Sequence, residues 1–212
     1  MNPVLPPSHA KLLFNRQDLS NWRTRSGEQA GWLVEDGVMK VVPKTGDVVT
    51  LERFTDFYLH LEFRIPDMPH AKGQAKGNSG VFLQGRYEIQ VLDSYGIALP
   101  GMGDCGAFYN ASAPLVNACL PPLQWQTYDV IFRSARVDEH GEVTEQVRIT
   151  VLQNGIVIQN NTQLPGVSGG EIDRNVGEPG PLLLQDHGDL VQYRNIWVVE
   201  LPLKGSNTYE SR

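Results

Sequence analysis

The sequence lacks several features that would settle a function class at once. No apolar run approaches the ~20 residues needed to cross a bilayer as a helix, so no membrane insertion is expected. No basic cluster offsets the net charge of −6, which argues against a nucleic-acid partner, since phosphate binding needs Lys and Arg in excess on some surface. Aromatics make up only 8% of the chain, few for a lectin-like platform. There is no G-x-S-x-G, no P-loop, no H-E-x-x-H and no zinc-type Cys/His spacing. The start, MNPVLPPSHAKLLFN, has neither the basic beginning nor the apolar core of a signal peptide. That start is Pro-rich and compatible with a remainder left after such a signal, so the compartment stays open between exported and cytoplasmic. Of only two cysteines, Cys105 and Cys119 lie in a Gly- and Pro-rich stretch, where a disulfide and a pair of buried thiols are both compatible with the sequence.

What is present is the composition of an ordinary globular protein, 41% hydrophobic and 20% charged over 212 residues. That length is compatible with one large β domain over residues 1–212. With 21 Gly and 14 Pro spread throughout, no long helical pattern survives. Short alternating runs recur instead. In residues 57–65, Phe57, Leu59, Leu61, Phe63 and Ile65 point one way, while Tyr58, His60, Glu62 and Arg64 point the other. Further strands are expected over 32–42 (with a turn at Glu35-Asp36-Gly37), 79–84, 86–92, 126–133, 146–152, 155–159, 181–187 and 192–200. Gln153-Asn154-Gly155 reads as a hairpin turn. So many strands without crossover helices predict an all-β, two-sheet antiparallel sandwich. Residues 66–78 read as a mobile polar loop, and 93–124 and 161–180 as long irregular segments of the kind that carry function.

Three strand faces concentrate polar groups: Glu88 with Gln90, Gln185 with His187, and Glu62 with Arg64. Such i, i+2 pairs suit sugar hydroxyls, which both donate and accept hydrogen bonds. Outward polar residues on a sandwich more often simply meet water. Asp93, Asp104 and Asp186 offer oxygens to a cation, but their spacing demands none, and surface acids are the plainer reading. A paired-carboxylate glycosidase is not evident either, because the residue two beyond Glu88 is the amide Gln90.

The run Asn78-Ser79-Gly80-Val81-Phe82-Leu83-Gln84, then Tyr87-Glu88-Ile89-Gln90-Val91-Leu92-Asp93, resembles the central signature of the 3-keto-disaccharide hydrolase family. Cys105-Gly106-Ala107-Phe108-Tyr109, Gln124-Trp125-Gln126-Thr127-Tyr128, Gln153-Asn154-Gly155, Leu184-Gln185-Asp186-His187-Gly188 and Tyr193-Arg194-Asn195-Ile196 follow in the family's order. Leu13-Phe14-Asn15, Leu19-Ser20-Asn21-Trp22 and Leu61-Glu62-Phe63-Arg64 also fit, so the resemblance spans roughly residues 11–202. It implies a concanavalin A-like lectin/glucanase sandwich, or jelly roll, with one concave sugar-facing sheet. It also implies action on a small carbohydrate, a 3-keto-glucoside or disaccharide, by elimination of the aglycone and hydration. Export is implied too, since signal peptides are common in the family.

A ketone at sugar carbon 3 acidifies the hydrogen on carbon 2, so this chemistry needs one base, one acid and something to polarise the ketone. On that resemblance His187 is expected as base and Glu88 as partner acid or metal ligand. Gln90, Gln185, Glu62 and Arg64 would orient the sugar, and Asn78, Tyr109 and Asp93 would close the cleft. No cofactor is required on this reading, and either a divalent metal or an Arg could hold the enolate oxygen. The alternatives are a non-catalytic carbohydrate-binding module of the same fold and a purely structural sandwich.

Overall fold

The computed structural model describes residues 4–202. Its strands in chain order begin with β1 (Lys11–Leu12), β2 (Trp22–Thr24), β3 (Leu33–Glu35), β4 (Val38–Lys40), β5 (Val48–Thr50), β6 (Phe57–Arg64), β7 (Ser79–Leu83) and β8 (Tyr87–Val91). They continue with β9 (Trp125–Arg133), β10 (Arg136–Val137), β11 (Val143–Glu145), β12 (Arg148–Gln153), β13 (Ile156–Gln163), β14 (Leu183–Leu184) and β15 (Gln192–Glu200). An eight-stranded sheet runs β13-β12-β9-β6-β15-β4-β3, with β1 also on β15, and a five-stranded sheet runs β2-β5-β14-β7-β8. β10 and β11 form a separate ribbon. The sandwich expected from the alternating runs is therefore the fold observed. No helix among the described residues is long and apolar enough to cross a membrane.

Period-two alternation places the core. Phe57, Leu59, Leu61 and Phe63 of β6 are buried in one cluster with Val81 and Leu83 of β7 and Tyr87, Ile89 and Val91 of β8. Each such side chain contributes about 1.5–3 kcal/mol when fully buried. The sheets touch directly: Tyr87 packs on Phe132 at 5.8 Å between ring centroids, and the Tyr128 hydroxyl donates to the Gln90 carbonyl at 2.7 Å. Two hairpins turn where expected, with Asp36 and Gly37 at φ 53° and 73°, and Asn154 and Gly155 at 54° and 80°. Two successive positive φ values are what a twist-matched two-residue turn requires.

The expected strand over 181–187 is ordered as a strand only at Leu183–Leu184. β1, β2, β5, β10 and β11, each two or three residues long, are too short to show a period and were not among the expected strands. Cys105 and Cys119 are separate thiols, and each sulfur lies 3.5 Å from the Gln153 side-chain amide nitrogen.

Candidate functional site

The outward face of the five-stranded sheet carries the candidate site. Glu88 and Gln90 point away from the core because Tyr87, Ile89 and Val91 point into it. Glu88 pairs across the ladder with Phe82, and Gln90 with Gly80. Gly80 leaves room for the carboxyl, since a Cβ there would sit 2.5 Å from Glu88 Oε1 and 2.9 Å from the Phe82 ring. On the other side of β7 the Gln185 amide donates to the Gly80 carbonyl at 3.0 Å. Leu184 points into the core, so Gln185 takes the outward face, and His187 follows two residues later. A small second core of Val49, Phe82 and Leu183, with Ile172 against it, lies on this same outward face beside Glu88.

Loops complete the enclosure. Segment 106–109 pairs onto the edge of β8: Gln90 N donates to Ala107 O and Gly106 N to Gln90 O, both at 2.9 Å, and Tyr109 N reaches Glu88 O at 3.4 Å. This covers an edge that would otherwise be open, and sets Tyr109 beside Glu88. Ser168, on a strap of residues 165–172, accepts the Glu88 amide at 2.9 Å and brings Gly169 and Gly170 over the opposite side. The resulting cleft of about 300 Å³ is lined by Glu88, Gln90, Gln185, His187, Asn78 and Tyr109, joined by Gln74, Asn110, Gly169 and Gly170.

The cleft's polar groups are ordered in two ways. Gln90 Nε2 donates to Asn78 Oδ1 at 3.0 Å and Asn78 Nδ2 donates to Gln74 O at 2.7 Å, which leaves Gln90 Oε1 free to accept. Gln185 Oε1 is buried without a hydrogen-bond partner, an acceptor suited to a ligand hydroxyl. Glu88 is 4% exposed, and burial, with the added charge of Asp47, pushes its carboxyl up to about 7. It is therefore roughly half protonated at neutral pH, able to give or take a proton where an ordinary carboxylate could not give one.

Six of the nine expected residues thus share one cleft, and three do not. Glu62 and Arg64 lie on the outward face of the eight-stranded sheet, the opposite side of the sandwich, because β6 sits between β9 and β15. There Glu62 accepts from Arg194 at 2.7 Å and Asn195 at 2.9 Å, while Arg64 donates to Gln192 at 2.8 Å and lies 4.8 Å over Trp125. Asp93 is bound to Lys76 at 2.8 Å and accepts the Tyr95 amide at 3.2 Å, so it fastens a loop. The three other tryptophans, Trp22, Trp32 and Trp197, are buried, so no tryptophan lines the cleft.

A family model described as the 3-keto-alpha-glucoside-1,2-lyase-like domain matches residues 9–199. The chain belongs to that family. Among solved structures, one from Parabacteroides distasonis described as a candidate glycosyl hydrolase is 40% identical, covers 92% of this chain and 85% of its own, and superposes with a TM-score of 0.85. A second from the same organism, described alike, is 22% identical over 94% of this chain and 99% of its own, with a TM-score of 0.70. Alginate lyase Aly36B, 10% identical over 95% of this chain and 100% of its own with a TM-score of 0.51, shares the fold alone. No curated protein matches the chain.

A divalent metal fits this donor set poorly. Among the described residues no group of three or more His, Cys, Asp and Glu side chains is arranged to hold one. The cleft offers one carboxylate and one imidazole among amides. Sequence reasoning missed Gln74, Asn110, Gly169 and Gly170, which lie on loops where no periodicity marks a side chain's direction.

Proposed function

We propose that this chain cleaves glycosides whose sugar already carries a ketone at carbon 3, eliminating the aglycone and hydrating the product. The reading rests above all on Glu88, a buried carboxyl titrating near 7 in a sugar-sized polar cleft that it shares with His187. His187 takes the proton from carbon 2, and the C–H electron pair passes into the enolate of the carbon 3 ketone. The enolate collapses to a carbon 1–carbon 2 double bond as the glycosidic bond breaks, and Glu88 delivers its proton to the leaving oxygen. Water then adds its oxygen to carbon 1 and a proton to carbon 2, so the net change equals hydrolysis. Gln90, Gln185, Asn78 and Tyr109 orient the sugar. No protein group attacks carbon 1, so one carboxyl suffices where a retaining hydrolase needs two, about 5–5.5 Å apart.

As an acid Glu88 must be protonated, so turnover falls as pH rises through about 7. The test is incubation with a 3-keto-glucoside and, separately, the unoxidised glucoside, with and without divalent metal. Consumption of the ketone only is expected, lowered at least about 100-fold by Glu88→Gln and by His187→Ala. Equal consumption of both sugars, or full activity in either variant, overturns the mechanism. Binding of either sugar without change makes the chain a carbohydrate-binding module.

A further inference from the structure

Arg25 lies outside the cleft, just beyond β2, yet its guanidinium reaches two walls of it. Nε donates to Asp47 Oδ2 at 2.6 Å, Nη2 to the Gly170 carbonyl at 2.6 Å and Nη1 to the Glu171 carbonyl at 3.5 Å. Gly170 is part of the cleft lining. Asp47 uses its other oxygen, Oδ1, to accept the Asp186 amide at 2.8 Å. Asp186 answers through its side chain, accepting the Gly46 amide at Oδ2 and the Gly188 amide at Oδ1, both at 3.0 Å. The turn so pinned is the one that carries Gln185 and His187.

We propose that Arg25 is a positioning residue of this cleft: through Asp47 and Gly170 it fixes the strap of residues 169–170 against the Gln185–His187 turn, on either side of Glu88. The proposal rests on the cleft being the reaction site read above. An isolated surface ion pair contributes little. Arg25 differs because its planar fork engages a carboxylate and two backbone carbonyls at once, a geometry lysine cannot reproduce.

The clamp also sets a charge. Asp47 is the carboxylate that adds to burial in raising Glu88, and Arg25 is its countercharge. The other titratable groups around Glu88 are His187 and Tyr109 in the lining and Tyr193 from the sheet beneath. Removing Arg25 leaves Asp47 uncompensated and moves Glu88 titration upward, whereas removing the Asp47 charge moves it downward. Simple loosening admits water and moves Glu88 downward in both cases, so the two explanations differ in sign when Arg25 is removed.

The experiment is a carbon-13 NMR titration of the Glu88 carboxyl in the full chain, assigned with Glu88→Gln, for the wild type, Arg25→Ala, Arg25→Lys and Asp47→Asn. The same samples give hydrogen exchange of the Asp186 amide. Arg25→Ala is expected to raise the Glu88 midpoint by about half a pH unit and Asp47→Asn to lower it. Asp186 exchange should quicken roughly tenfold in Arg25→Ala. Arg25→Lys should hold the midpoint near that of the wild type while Asp186 still exchanges faster. A Glu88 midpoint that stays put or falls in Arg25→Ala, or wild-type Asp186 exchange in both Arg25 variants, overturns the clamp. Neither readout needs a substrate: these shifts without turnover of a 3-keto-glucoside sink the proposed reaction alone, and turnover without the shifts sinks the clamp alone.

Discussion

Glu62→Gln separates the two polar faces of the sandwich. Glu62 is 3% exposed on the outward side of the eight-stranded sheet. Burial works against its charge, but His60 at 4.0 Å and hydrogen bonds from Asn195 and Arg194 outweigh burial and hold the carboxyl down at about 2, against an ordinary 4.5. A carboxyl depressed in the folded state contributes stability that is fully present above 4.5 and is lost as pH falls toward 2. The gap between those values corresponds to about 3 kcal/mol at neutral pH. Glutamine keeps the shape and removes the charge, so urea unfolding at pH 7 should show a loss of about 2–3 kcal/mol with an unchanged slope. The difference between variant and wild type should shrink steadily between pH 4.5 and 2. Turnover of a 3-keto-glucoside, measured well below the melting temperature, should match wild type. A stability gap that does not vary with pH would refute the linkage argument. A folded variant with lost turnover would return Glu62 to the sugar site.

Three further outcomes test other parts of the account. Gln74→Ala removes the acceptor oxygen 3.3 Å from the Asn78 and Gln90 side-chain amides, together with the donor to Gly103 O at 2.8 Å. KM should rise about 5–30-fold with kcat little changed, from ~1–2 kcal/mol of lost orientation, and an unchanged KM counts against the amide relay. Arg86 is fully buried, with Nε on Asp173 at 2.5 Å and Nη1 on the Glu178 carbonyl at 2.7 Å. Arg86→Ala should cost about 3–5 kcal/mol in denaturant unfolding, and a loss under about 1 kcal/mol contradicts that pairing. Gly180→Ala puts a Cβ 2.3 Å from the Gln84 backbone oxygen, where nothing flexible can yield, and should destabilise by about 1–3 kcal/mol. Gly180 exchanges backbone hydrogen bonds with Phe54 at 2.8 and 3.0 Å, and wild-type stability in that variant would mean this pairing relaxes.

The sandwich was legible because β6 alternates along its whole length, and because Asn154-Gly155 marks a turn that few other pairs satisfy. The site was legible in part, for a physical reason that Glu62 and Glu88 make clear. A period of two tells which residues share a face of one strand; it does not tell which sheet that strand joins. Glu62-Phe63-Arg64 and Glu88-Ile89-Gln90 therefore read alike, although β6 lies in the middle of one sheet and β8 at the edge of the other. Arg25, Gln74 and Asp47 were invisible for a different reason, since each stands outside any strand long enough to carry a period. Burial does not separate the two faces either, with Glu62 at 3% and Glu88 at 4% exposed. Neutralisation does. Glu62 has Arg194 at 2.7 Å, and its proton is held off to about 2. Glu88 has only Asp47's like charge added to its burial, and titrates near 7. A buried carboxyl whose surroundings cancel its charge contributes to the stability of the fold, whereas one left uncancelled is costly to keep and is retained where its proton is put to use.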